Sequence, residues 1–221
     1  MWPSNRFGDA MNNFVDLSSM REETTAIRAL YRVSGTLLLR GLEARPTTNL
    51  RALYRLGKLD ISDQVRDMFR VNIRKDRRPT DTPDEIHELI EDWLIHHGFI
   101  ARRSNSLFCT TDKNMAVAYG DVYVVFPIDG WQCTHFAGSV DLFKFISDYL
   151  ESSGFDGLAE AWMDGVDQSV IDWLQVHMDE IMAVAQPIDG ISWDGVENMI
   201  SGNGAWLVKW DTFKNNVEKF F

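Results

Sequence analysis

The sequence predicts an α+β domain in which helices and strands are segregated along the chain rather than alternating. Three observations carry that expectation: helical spacing over MREETTAIRALYRV and TPDEIHELIEDWLIHHGF, short β-type runs over GTLLLRG and DVYVVF, and two closing apolar runs around Ser-Gly-Asn-Gly. With 221 residues, 45% of them hydrophobic, and 8 Trp and 13 Phe, the chain can close one sizeable core or two small ones. Residues 1–221 therefore read as one domain.

In chain order, a polar start leads to the helix of MREETTAIRALYRV and then to GTLLLRG, a strand that ends in Arg40 and Gly41. TTNLRALYRLGKL and ISDQVRDMFRVNI both read as helices, the second with Ser62 or Asp63 as N-cap. KDRRPTDTP breaks the chain. The helix of TPDEIHELIEDWLIHHGF follows, with Thr82 as cap, Pro83 at its first position, acids in its first turn and Gly98 at its end. Residues 106–127 read as a strand, a short helix over NMAVAY and a second strand. DLFKFISDYLESS and SVIDWLQVHMDEIMAVA are helical, on either side of FDGLAEAWMDGVD. VENMISGNGAWLVKWDTF reads as a hairpin turning at Ser-Gly-Asn-Gly.

Charge narrows the function classes. The net charge of −11 is uneven, because residues 1–110 hold 17 Lys/Arg against 15 Asp/Glu while residues 111–221 hold 5 against 18. Such a surface repels phosphate backbones at long range, which disfavours general nucleic-acid binding. A local basic cluster, Arg66, Arg70, Arg74, Lys75, Arg77 and Arg78, is the one local candidate for a basic groove that would override this, its plainer reading being a solvated helix end and loop. No apolar run has the length of a signal peptide or membrane span, so a soluble, cytoplasmic protein with no membrane partner is expected. Cys109 and Cys133 read as thiols.

Phosphate-loop and dinucleotide glycine signatures are missing, and His87, His96, His97, His135 and His177 make no zinc pattern. A Cys-His nucleophile from Cys109 or Cys133 with His135 has no sequence feature that predicts an activating base nearby.

Three short stretches remain: LLLRG at 37–41, SLFCTTDKNMAVAYG at 106–120 and VENMI at 196–200. In that order they resemble the motifs of ADP-ribosyltransferases of the Arg-Ser-Glu class, which includes bacterial toxins and phage-encoded transferases. The segment DTPDEIHELIEDWLIHHGFIARRSNSLF is also similar to phage-encoded members. The resemblance touches about a third of the chain. It implies a split, mixed β-sheet core with N-terminal helices and an acidic helical insertion over about 139–186.

It also implies a function, mono-ADP-ribosylation of a macromolecule with NAD as substrate. Breaking the nicotinamide–ribose bond leaves an oxocarbenium-like sugar that a carboxylate near the ribose hydroxyls stabilises. Glu197 is the expected carboxylate, and a hydroxyl of Thr110 or Thr111 would orient it. Arg40 offers a planar donor fork for the diphosphate or the adjoining ribose. Tyr119 and Phe108 are candidates to sandwich the nicotinamide ring.

The family's Ser-Thr-Ser step aligns either with Cys109-Thr110-Thr111 or with Thr110-Thr111-Asp112. Gly195 stands where arginine-modifying members carry Glu or Gln, which leaves the acceptor open: a side chain, a nucleic-acid base, a small molecule or water. Between Asp141 and Asp194 there are 12 acids and one base, Lys144, a ratio that suits a basic partner. An inactive scaffold acting as an acidic binding or inhibitor protein against a host or defence factor, and an NAD glycohydrolase, are the alternative functions.

Overall fold

The computed structural model describes residues 17–42, 68–78, 82–137, 142–155, 166–188 and 197–221. It is a mixture of helices and antiparallel sheet. The helices are α1 (Leu17–Glu23), α2 (Thr25–Ser34), α3 (Asp84–His96), α4 (Lys113–Ala118), α5 (Leu142–Ser152), α6 (Gln168–Ile181), α7 (Trp210–Asn215) and α8 (Val217–Phe220). The strands are β1 (Leu39–Leu42), β2 (Met68–Val71), β3 (Leu107–Thr110), β4 (Asp121–Pro127), β5 (Gln132–Phe136), β6 (Ala185–Ile188), β7 (Glu197–Ser201) and β8 (Ala205–Lys209). No helix among the described residues is long and apolar enough to cross a membrane.

The strands run in the order β2-β8-β4-β1-β3-β7-β5-β6. All the described pairings are antiparallel, where the resemblance implies a mixed sheet. The sheet is divided at its centre. β1 pairs with β4 through four residues but with β3 through Leu39↔Thr110 alone. That seam separates a half made of β2, β8, β4 and β1 from a half made of β3, β7, β5 and β6.

Two cores pack against the sheet. Met20, Ile27 and Tyr31 of α1 and α2 pack with Val124, Phe126 and Val208 of the first half and with Phe213 and Phe220. Ile86, Ile90 and Leu94 of α3 form the second core with Ile146 of α5, with Leu174 and Met178 of α6, and with Phe136 and Met199 of the sheet. The acidic helices thus turn their apolar faces inward, while Asp148, Glu151, Asp172 and Glu180 stay exposed. β3, β5 and β7 contribute to both cores: Cys109, Cys133 and Ile200 to the first, Phe136 and Met199 to the second.

Several local expectations are corrected. Residues 68–71 are a strand, not part of a helix, because Met68 and Phe69 pair with Val208 and Leu207 of β8; tertiary pairing overrides a short helical pattern. Ser62, Asp63, Arg66 and the helix of TTNLRALYRLGKL lie outside the described residues. Pro83, with ψ 143°, takes the cap position of α3, and the Thr82 hydroxyl instead accepts from Arg103 at 2.8 Å. The two closing strands form, but not as a hairpin: β7 lies between β3 and β5, and β8 between β2 and β4. Their connection crosses the seam and ends at Gly204, whose φ is +154° and where a Cβ would come 2.6 Å from the Val71 carbonyl oxygen. β5 and β6 are additional strands that periodicity does not mark.

His87 on α3 is buried, at 4% exposure, and its Nδ1 makes no hydrogen bond. Burial, reinforced by the charge of Arg103, lowers its pKa from the ordinary value of 6.5. The unfolded chain therefore takes up a proton that the folded chain refuses, so this contribution is complete above about pH 6.5 and is lost as pH falls below it. The urea midpoint of the wild type is expected to drop between pH 7.5 and pH 5.5, and to drop less in His87→Gln. An equal drop in both proteins would assign the pH dependence elsewhere.

Candidate functional site

Where the seam opens, an open cleft of about 790 Å³ is lined by Arg40, Gly41, Phe108, Thr110, Tyr119 and Glu197 among others. It collects residues from all three sequence stretches singled out above.

Strand register explains the convergence. Thr110 lies opposite Leu39 on one side and opposite Glu197 on the other. Directly opposed residues in an antiparallel pair share a face, so Thr110, Phe108 and Glu197 point the same way while Cys109 points into the first core. The same register distinguishes the two threonines. Asp112 accepts the Asn114 N–H at 2.7 Å as the N-cap of α4, which commits it to the helix. Thr110 is the hydroxyl on the face of Glu197, and Thr111 is not among the described residues lining the cleft.

Arg40 bridges the seam. Its Nη1 donates to the Phe108 carbonyl at 2.7 Å, serving a backbone acceptor beyond the single register pair of β1 and β3. Its Nε is buried without a hydrogen-bond partner, and burial lowers the pKa of the guanidinium from its ordinary value. A buried cation with an unused donor favours an anion beside it.

Gly41 shapes the wall above. A Cβ there would fall 1.9 Å from the Ala116 carbonyl oxygen and 2.7 Å from the Tyr119 Cβ. α4 thus lies directly on β1, and the absence of a side chain at 41 is what brings Ala116 and Tyr119 to the cleft. Tyr119 stands 50% exposed at the mouth.

The cleft also holds residues that sequence reasoning missed. Arg77 and Arg103 line the cleft, the first with its guanidinium 3.9 Å and the second 5.6 Å from the centre of the Phe108 ring. Other described members of the basic cluster are surface chemistry: Arg70 pairs with Glu23, Arg74 with Asp76, and Arg78 with Asp84 and Glu88. Nothing in the spacing of KDRRP distinguishes Arg77 from Arg78; only the fold does.

The cysteines carry no nucleophile. Cys109 and Cys133 are both buried, and burial pushes the Cys109 thiol up to about 12 and raises Cys133 as well. They lie on β3 and β5, two strands apart with β7 between, roughly twice the ~4.8 Å strand spacing and too far for a disulfide.

Compared with models of protein families, with curated proteins and with solved structures, the chain matches none, so the meaning of the site rests on its own residues.

Proposed function

We propose that the chain is an NAD-dependent mono-ADP-ribosyltransferase with an ADP-ribosyltransferase-like split sheet, modifying a macromolecular acceptor. The observation that carries the proposal is the row Leu39–Thr110–Glu197 across three adjacent strands, with Arg40 beside it in the same cleft. Three stretches far apart in sequence supply one cation, one hydroxyl and one carboxylate to a single opening.

In this reaction the bond from the ribose anomeric carbon to the nicotinamide nitrogen breaks, and its electron pair leaves with nicotinamide. The acceptor nucleophile bonds to the same carbon and releases its proton. Glu197 stabilises the positive charge that grows on the sugar through the ribose hydroxyls, Thr110 positions that carboxylate, and Arg40 holds the diphosphate. Tyr119 stacks on the leaving ring. The acidic face of α5 and α6 suits a basic partner.

Incubation of the wild type and Glu197→Ala with labelled NAD and cell lysate tests the proposal. Label on a macromolecule from the wild type alone supports transfer. Free ADP-ribose alone indicates water as acceptor, and no turnover at all removes the enzyme. The register adds a sharper expectation. Thr110→Val should slow nicotinamide release about 2- to 10-fold, the worth of one hydrogen bond, and Thr111→Val should leave it within about twofold; initial rates decide, and the reverse order would assign Thr111.

A further inference from the structure

The cleft that Arg40 lines also holds a pair of cations that the proposed chemistry does not use. Arg103, only 3% exposed, and Arg77, half-buried, meet at the Phe108 ring. With Arg40 they set three arginines against one acid, Glu197, among the described residues lining the cleft. In a chain of net charge −11 this is a local inversion of sign.

The pair is held by a dedicated support. Glu91 on α3, with its side chain 13% exposed, accepts from Arg102 Nε at 2.9 Å, from the Ser104 N–H at 3.1 Å and from the Ser104 hydroxyl. These bonds fix the 3₁₀ turn Arg103–Asn105, and the Ser104 carbonyl in turn accepts the Arg77 N–H at 2.8 Å. One carboxylate thus places both guanidinium groups. Because Arg77 lies over Phe108, that ring serves as a platform for a cation.

We propose that Arg77 and Arg103 form a second anion clamp in the cleft that Arg40 also lines, taking the diphosphate of a nucleoside-diphosphate ligand, and that Glu91 is its positioning residue. Several planar guanidinium forks in one cleft match a group with acceptor oxygens spread over two phosphates. The identity of the ligand as NAD rests on the function proposed above, whereas the clamp requires only the diphosphate.

Calorimetric titration of ADP, AMP and adenosine into the wild type, Arg77→Ala, Arg77→Lys and Glu91→Gln tests it, with thermal melts to verify folding. ADP is expected to bind the wild type, to lose at least about tenfold in affinity in Arg77→Ala, and to be recovered only in part by lysine. Glu91→Gln should weaken ADP while leaving adenosine unchanged, which a general loss of structure would not do. Should Arg77→Ala fail to fold, the lysine variant decides by the same comparison. Equal ADP affinity in the wild type and the Arg77 variants, or no ADP binding by the wild type, overturns the clamp. The two proposals fail separately. Arg77-dependent ADP binding without NAD turnover keeps the clamp and removes the transferase; NAD turnover with a KM indifferent to Arg77 does the opposite.

Discussion

Gly41→Ala is expected to cost about 3 kcal/mol of stability, the upper part of the range for overpacking, and to lower the melting temperature by about 6–12 °C in a chain of this length. The reason is the identity of the obstructing atom. The new Cβ meets the Ala116 backbone carbonyl at 1.9 Å, so no rotamer change relieves the clash and α4 itself must move off β1. Ala116 and Tyr119 travel with it, and the cleft widens on that side. Differential scanning calorimetry measures the first effect and ADP titration the second. A variant with the wild-type melting temperature would mean that α4 is not seated on β1.

Glu197→Gln carries the second large effect. If Glu197 stabilises charge that develops only as the nicotinamide bond breaks, removing its charge while keeping its shape should lower kcat by roughly 100- to 1,000-fold with KM for NAD nearly unchanged. The fold should survive, since Glu197 is the first residue of β7 and the strand is anchored further along by Met199 and Ile200, both fully buried. A rise in KM without a fall in kcat would make Glu197 a ligand for bound substrate only. Unchanged turnover would remove it from the chemistry.

The parts of this molecule that are legible in its sequence are those whose signal is local. α3 is marked by Pro83, its first-turn acids and Gly98, and β4 by a continuous run of β-branched and aromatic residues. β5 carries no such mark, because QCTHF mixes polar and apolar residues while sitting buried on both faces; Thr134 and His135 are as hidden as Cys133. β2 escapes a sequence reading because MFRV has four residues, too few for a period to declare itself, and its state is set by β8.

The candidate site divides in the same way. Arg40, Glu197 and the threonine pair stand out by residue type and order, but which threonine faces Glu197 depends on cross-strand register, which a single strand does not encode. Arg77, Glu91 and Arg103 stand in a loop, a helix and a 3₁₀ turn, and are joined through the backbone of Ser104.

The seam between β1 and β3 has a consequence for how the protein opens. A sheet whose halves meet through one residue pair is weakest along that line, so the amides beside it are expected to exchange sooner than those of the longer pairings on either side. The first core, which takes residues from both halves, ties them together. A ligand held by Arg40 on β1 and by Arg103 ahead of β3 would act as a strut across the joint. Its binding energy would then appear as synchrony: the amides on both sides of the joint would come to report one shared opening event.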